Sequence, residues 1–414
     1  MTALPDVGHR IGGRYELTAE AGEGGFARAY EAVDTTTGEP VAVKVPNYEG
    51  SSNDPAVIDE YFQKEATTLQ QISDAGGHPN VMTLYDQGTE GDLDFLVVEF
   101  IDGYELDEAI ERTGPLTDTE EVRQAGIDLC DAMSFLHENE IVYRDLKPDN
   151  VMISQRNGRP TPVLIDFNTA TGFDASGSAA DSGTTILGPY KPREVADAGR
   201  SDARQGPWSD VYSIGKIVLF LLKGTVPKMD GINPRDFGVD CDPYLADIVE
   251  RATQADYEDR YANATSMKHV LTAKDPSPPP KATITYLQEG EQFSVYPGDT
   301  VGRRFAKGPT PSIAIEDDEE YISTVQVQFD IDSEAGTGQN QWFLRDRSLN
   351  GTYVQTGDGW QRVLGETGRK RLREKGEDPT DRHGNVPPTT HPLSDGDLVA
   401  LVHPSYGVTF QFEA

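Results

Sequence analysis

Between residues 10 and about 101, short apolar alternations recur with one helical stretch among them. Tyr15-Glu16-Leu17-Thr18 leads into a glycine-rich turn, Ala29–Val33 returns from it, and Val41-Ala42-Val43-Lys44-Val45 reads as a third strand. From Val57 to Ile72 the apolar positions Ile58, Phe62, Ala66, Leu69 and Ile72 fall at helical spacing. Two more strands are expected at Val81–Asp86 and Phe95–Phe100. Beyond Asp102 the period lengthens. Asp118–His137 places Val122, Ala125, Ile127, Leu129, Met133 and Leu136 on a helix, and Trp208–Leu222 reads as a compact apolar helix stopped near Gly224. A sheet-rich lobe followed by a larger helical lobe is an α+β arrangement.

The pattern breaks at Lys274-Asp-Pro-Ser-Pro-Pro-Pro-Lys281, where consecutive prolines can neither continue a helix nor supply ladder hydrogen bonds. After this stiff linker the chain turns all-β, with short strands expected at Ala282–Gln288, Phe293–Tyr296, Ile313–Ile315, Thr324–Ile331, Trp342–Arg345, Gly351–Gln355, Asp397–Val402 and Val408–Phe412. That spacing suggests a β-sandwich, with residues 357–395 as a long insertion loop rich in Gly, Pro and charge. The chain is thus multidomain: an α+β domain over 10–273 (lobes 10–101 and 102–273), a linker over 274–281 and an all-β domain over 282–414.

Charge changes the picture of the solvent more than of the fold. With 70 Asp and Glu against 36 Lys and Arg, the formal charge is −34, spread over both halves. At low ionic strength such a surface repels itself, whereas at molar salt the screening length shrinks to about 3 Å. This points to a salt-adapted organism such as a halophilic archaeon. It also excludes nucleic acid as a partner, because the field has the wrong sign. One basic run, Arg369-Lys370-Arg371-Leu372-Arg373-Glu374-Lys375, stands out. It reads as a solvated loop or helix face in preference to a docking patch. Cys130 and Cys241 read as small core residues. No apolar run approaches the roughly 18 residues a membrane span needs, and the first residues lack the form of a secretory leader. A cytoplasmic protein without membrane partners is expected.

Candidate chemistry begins with Gly22-Glu23-Gly24-Gly25-Phe26-Ala27, a turn whose glycines let backbone N–H groups approach phosphate oxygens. Lys44 follows on the next strand and Glu65 on the helix after it. Then come Tyr143-Arg144-Asp145-Leu146-Lys147-Pro148-Asp149-Asn150 and Asp166-Phe167-Asn168. In this order and spacing, residues 10–273 resemble the eukaryotic-type (Hanks-type) protein kinases. The resemblance implies a bilobal kinase fold with ATP and Mg²⁺ as cofactors and protein serines or threonines as acceptors. It places Gly22, Gly24, Gly25, Ala42, Lys44, Glu99 and Ile101 around ATP, with Glu65 orienting Lys44. Asp145 is the base, Lys147 neutralises the γ-phosphate, and Asn150 and Asp166 hold Mg²⁺. Asp210, Glu194 and Arg260 match scaffold positions. Four positions depart from the family pattern: Ala27 for a third glycine, Tyr143 for His, Asn168 for Gly, and Pro192-Arg193-Glu194 for Ala-Pro-Glu. Arg144 marks Thr184 and Thr185 as candidate phosphosites in the segment that follows Asp166.

Residues 282–414 resemble the forkhead-associated (FHA) domain, a β-sandwich that reads phosphothreonine through loops at one end. The matching motifs are Gly302-Arg303, Ser323-Thr324-Val325-Gln326, and Asn350-Gly351-Thr352 after Asp346-Arg347-Ser348. The resemblance implies that Arg303 clamps the phosphate, Ser323 and Thr324 add contacts and Asn350 holds the peptide backbone. Gln326 stands where the family has His. Three readings stay open from the sequence. The first is an active kinase whose FHA domain recruits phosphothreonine-containing proteins, itself included. The second is a pseudokinase adaptor, and the third is a kinase with a merely structural sandwich.

Overall fold

The structure, a computed structural model, describes residues 4–156, 158–172, 188–196, 205–303, 311–317, 320–332, 341–357, 359–380 and 384–414. These fall into two compact units. The first draws on residues 1–171, 187–192 and 212–255, the second on 172–186, 193–211 and 256–414. No described helix is long and apolar enough to cross a membrane.

The first unit opens with a sheet of β1 (Arg10–Ile11), β2 (Tyr15–Glu23), β3 (Ala27–Asp34), β4 (Pro40–Pro46), β5 (Leu84–Glu90) and β6 (Leu93–Glu99), in the order β1-β2-β3-β4-β6-β5. Along β4 the alternation puts Val41, Val43 and Val45 into the core with Tyr30, Leu17 and Phe95, so Lys44 points to the other side. Helix α1 (Pro55–Asp74) starts where Asp54 accepts the Ala56 N–H and Pro55 presets the first turn. Its buried positions Ile58, Phe62, Ala66, Leu69 and Ile72 match the expected spacing, and one charged residue, Glu65, shares that face. The strand expected at Val81 begins only at Leu84. Val81 itself makes a lone parallel bridge to Leu164.

Beyond the sheet come β7 (Gly103–Glu105), α2 (Leu106–Thr113) and α3 (Thr119–Glu138), the last capped by Asp118. Strand β8 (Ile141–Val142) precedes a hairpin of β9 (Val151–Arg156) and β10 (Arg159–Leu164). The register Val151↔Leu164 brings the residues just before β9 beside those just after β10. This pairing places Asn150 next to Asp166, with the Ile165 N–H donating to the Asn150 carbonyl at 3.2 Å. A two-residue strand, β11 (Thr171–Gly172), and the helices α4 (Arg193–Ala196), α5 (Pro207–Lys223), α6 (Pro243–Ala252) and α7 (Ala264–Ala273) follow. Gly224, at φ +73°, ends α5 in the left-handed region.

The remainder of the second unit is a sandwich. One sheet runs β13 (Glu291–Val295), β12 (Ala282–Tyr286), β22 (Thr409–Glu413), β21 (Leu398–Ala400), β18 (Thr352–Thr356), β19 (Gly359–Val363). The other runs β15 (Ile313–Ile315), β14 (Thr300–Arg303), β16 (Val327–Asp332), β17 (Gln341–Asp346), β20 (Thr390–Leu393). Alternating residues such as Ile284, Val301, Phe329, Trp342, Leu344, Phe410 and Phe412 fill the space between the sheets. The registers Val301↔Val327, Val327↔Asp346, Arg345↔Thr390, Thr352↔Val363, Tyr353↔Ala400 and Ala400↔Thr409 bring the end of β14, the starts of β16 and β18 and the ends of β17, β19 and β21 to one end. Two sequence expectations change here. The strand expected from Thr324 starts at Val327, because Ser323–Gln326 forms a turn closed by the Gln326 side chain on the Ser323 N–H. The insertion at 357–395 is not a plain loop: it holds β19, β20 and helix α8 (Glu366–Glu374).

Candidate functional site

In the first unit, Lys44 of β4 and Glu65 of α1 form a buried ion pair, the carboxylate only 2% exposed. Burial works against the ammonium, but Glu65 and then Asp166 outweigh it, so Lys44 holds its proton more tightly than an ordinary lysine. One cation therefore sits between two carboxylates brought from a strand, a helix and a hairpin end.

Across the hairpin, the Asn150 amide donates to the Asp145 carbonyl at 2.8 Å and to Asp145 Oδ2 at 3.1 Å. The other oxygen, Oδ1, meets Lys191 Nζ at 2.6 Å, both side chains being under one-fifth exposed. Lys147 turns to Asp149 at 3.1 Å. Burial disfavours the Lys147 charge, yet Asp145 and Asp149 more than compensate and raise its proton affinity. Tyr143 is fully buried, edge-on to Phe167 at 5.2 Å, and its hydroxyl reaches the Asn150 carbonyl at 3.4 Å. Burial, then Asp166 and Asp145, push its titration far up, so it stays a neutral packing group with one donor. Asn168 makes its turn without a positive φ, donating its N–H to Asp166 Oδ1 at 3.2 Å. Left-handed tolerance is not what this position demands.

The end of β2 and the turn that leads from it into β3 expose Gly22, Gly24 and Gly25. Its base is held by Asn47, which donates to the Gly24 carbonyl at 2.8 Å, and by Phe26 stacked on Tyr61 of α1 at 4.2 Å. The registers Ala42↔Val98 and Val41↔Glu99 set Ala42 beside the end of β6, followed by buried Ile101. Thr184 and Thr185 lie outside the described residues.

In the second unit, the Arg260 guanidinium is completely buried and bidentate on Glu194, at 2.6 and 3.3 Å. Ser209 Oγ adds a third bond to that carboxylate at 3.0 Å.

At the loop end of the sandwich, Arg303 donates its backbone N–H to the Ser323 carbonyl at 2.9 Å and its Nε to the Ile322 carbonyl at 3.1 Å. A β-carbon on Gly302 would lie 2.0 Å from the Thr324 carbonyl, so only glycine lets these two loops approach. The Arg303 fork faces Glu320 at 3.1 Å, a residue 68% exposed with φ +57°. Ser323 Oγ accepts the Leu349 N–H at 3.2 Å, and Thr324 lies beside it, half-buried. Behind them Gln326 is fully buried and donates to the Gly351 carbonyl, Thr352 Oγ1 and the Leu401 carbonyl. Asp346 accepts from Ser348, Thr352 and the Gly365 N–H, all at 2.8 Å, and shapes the loop that carries Asn350. Asn350 in turn accepts from Arg371 of α8 at 2.7 Å through Oδ1, and from Arg362 at 2.6 Å through its carbonyl.

The profile described as "Protein kinase domain" matches residues 15–278. The chain belongs to the protein kinase family. A second profile, "FHA domain", matches residues 300–375. Among curated relatives, serine/threonine-protein kinase PknB of Mycobacterium tuberculosis is 30% identical over 336 residues, 75% of this chain and 51% of that protein. Serine/threonine-protein kinase PrkC of Bacillus subtilis is 31% identical over 223 residues, 53% of this chain and 32% of that protein. A probable serine/threonine-protein kinase of Clostridium perfringens is 27% identical over 302 residues, 70% of this chain and 42% of that protein. The chain spans about half or less of the length of these relatives.

Within this family member the structure brings Lys44, Glu65, Asp145, Asn150 and Asp166 together, with the exposed glycine turn and the Ala42–Ile101 edge on neighbouring strands. Lys147 points to Asp149 instead, and Asp145 takes Lys191. Lys191 belongs to none of the motifs legible in the sequence; it stands directly before Pro192-Arg193-Glu194, where the chain departs from the family pattern. At the FHA end, Arg303, Ser323, Thr324 and Asn350 share one rim, joined by Arg371 from the basic run.

Proposed function

We propose that this chain is an ATP- and Mg²⁺-dependent serine/threonine protein kinase whose FHA module reads phosphothreonine on partner proteins or on the kinase itself. The observation that carries the first half is the buried Lys44–Glu65 pair set against Asp166, beside Asn150 bound to Asp145. The donor set suits one hard cation. Among the described residues no group of three or more His, Cys, Asp or Glu could hold a metal alone. One carboxylate and one amide oxygen completed by phosphate oxygens is how magnesium is commonly kept. Asp166 supplies the carboxylate. Asn150 supplies the amide oxygen, because its nitrogen is committed to Asp145.

When bound, the nucleotide with its cation brings the transferable phosphoryl group and neutralises part of its charge. Lys44, held charged by its neighbours, binds phosphate oxygens and is kept in line by Glu65. The Gly22–Gly25 turn offers backbone N–H groups, while Ala42 and Ile101 bound the adenine side with the Glu99 backbone. Asp145 accepts the substrate hydroxyl proton on a carboxylate oxygen oriented by Asn150 and Lys191. Lys147 offsets charge at the transferring group. The test is incorporation of labelled phosphate, followed by mass spectrometry of the sites. Asp166→Ala and Asp145→Asn should each cut incorporation by more than about a hundredfold. Wild-type rates in either variant, at matched salt, would refute the kinase reading.

Support for the reader half is the rim of Arg303, Ser323 and Asn350. The planar fork of Arg303 suits a phosphate, and Gln326 and Asp346 brace the loops from behind. Arg303→Lys should abolish most phosphothreonine binding although charge is retained. Equal affinity for phosphorylated and plain peptide would refute it.

A further inference from the structure

We propose that helix α8 adds a second anion subsite to the FHA rim, selecting phosphothreonine peptides that carry a further acidic or phosphorylated side chain on the Asn350 side. The inference rests on the phosphothreonine reading above and goes beyond it.

The first observation is position. The β19 strand returns to the loop end at Val363, paired with Thr352, so the helix that follows emerges beside Asn350. Arg369 fixes it there, donating to the Leu364 and Pro387 carbonyls and pairing with Glu366. Gly368 lets the helix lie close: a β-carbon there would sit 3.0 Å from the Ser348 carbonyl. The helix is therefore packed onto the loop that carries Asn350.

The second observation is charge. Five of the chain's 36 Lys and Arg residues fall within 369–375, in a protein of formal charge −34. Among the described residues no carboxylate pairs with Lys370, Arg371, Arg373 or Lys375, and Lys370, Arg373 and Lys375 are exposed. Unpaired cations gathered on one helix of a strongly acidic surface favour an external anion as their partner.

The third is contact with the rim itself. Arg371 donates to Asn350 Oδ1, which leaves the Asn350 NH₂ free to face a peptide carbonyl. A continuous line of contacts then runs from Arg303 through Ser323 and Leu349 to Asn350 and Arg371. A phosphate at Arg303 puts the neighbouring peptide residues over Asn350 and within reach of Arg371 and Arg362. Glutamate, aspartate or a second phosphoresidue share the anionic chemistry that would fit.

The experiment is fluorescence anisotropy on the full chain with a labelled phosphothreonine peptide of neutral sequence. In parallel sets, one glutamate or one phosphoserine is walked along either side of the phosphothreonine. The expected result is a position on one side where the added anion tightens binding by about tenfold, the size of one charge-assisted hydrogen bond. Arg371→Gln together with Arg373→Gln should flatten that preference, read within each variant as the ratio of its affinity for the anionic peptide to that for the neutral one. Arg371→Lys should restore part of it. Response to phosphoserine alone identifies a doubly phosphorylated ligand, and response to both identifies an acidic motif. Either supports the subsite. Phosphothreonine binding without positional preference, or a preference unaffected by the double variant, overturns the subsite and leaves the reader intact. Failure to bind any phosphothreonine peptide overturns both.

Discussion

Replacing Arg260 with methionine tests how the second unit holds the end of the segment that carries Glu194. Arg260 is fully buried, and its fork supplies two of the three side-chain bonds that the described residues make to a carboxylate only 8% exposed. Its NH1 also donates to the Trp208 carbonyl at 3.2 Å. Methionine fills much of the volume, but among the described residues Ser209 is then the one side chain bonded to the Glu194 carboxylate. A buried charge stripped of its partner costs about 3–5 kcal/mol. For a domain of this size that should lower the melting temperature by roughly 10 °C. The double variant Arg260→Met with Glu194→Gln removes the charge along with its partner, and should recover most of the loss, since Gln still accepts from Ser209. Screening acts weakly on buried pairs, so the difference between single and double variants should persist in molar salt. Differential scanning fluorimetry across a salt series reads all three. A drop below about 2 °C, a double variant no better than the single, or a deficit that vanishes at high salt would each refute the reasoning.

Three further outcomes follow from the sites. Lys191→Met removes the cation from Asp145 Oδ1, and kcat should fall about tenfold with the KM for ATP little changed, Lys191→Arg recovering part; unchanged kcat would deny Lys191 a positioning role. Glu320→Ala releases the Arg303 fork from an exposed competitor held at positive φ, so phosphothreonine peptide should bind up to about fivefold tighter, and weaker binding in isothermal titration calorimetry would count against this. Burial, only partly offset by the Gly365 N–H and the Thr352 and Ser348 hydroxyls, pushes the Asp346 carboxyl up to about 6. The unfolded chain releases this proton near about 3.9. The fold therefore binds more protons between the two values, and Asp346's contribution to stability falls as pH rises from about 4 to about 6. Urea midpoints measured across that window should lose this slope in Asp346→Asn, whatever that variant's absolute stability. An unaltered slope would reassign it.

Much of the molecule could be read from the order of its residues, because the relevant constraints are local. The alternation around Lys44 and the helical spacing of Ile58, Phe62 and Leu69 each follow from burying one face of a strand or helix. The charged groups at 44, 65, 145 and 166, the amide at 150 and the loop residues at 303, 323 and 350 were all visible as motifs. The strands of the sandwich core were legible for the same reason. Their ends were not: Thr324 and Gln326 have strand-like neighbours, yet a side-chain bond closes a turn there.

Tertiary structure decided what depends on distant partners. Nothing local says that Asp145 takes Lys191, 46 positions away, while Lys147 turns to Asp149; the pairing exists only because folding brings the two side chains together. Asn168 needs no left-handed backbone because its own neighbour, Asp166, accepts its N–H. The basic run reads from sequence as a solvated face, since its charges at helical spacing carry only a weak apolar signal. Its contact with Asn350 follows from the Thr352↔Val363 register, which returns the chain to the loop end of the sandwich before α8 begins. Local patterning thus specifies which faces are buried, whereas the meeting of charged tips is set by strand register and helix placement, which no window of sequence contains.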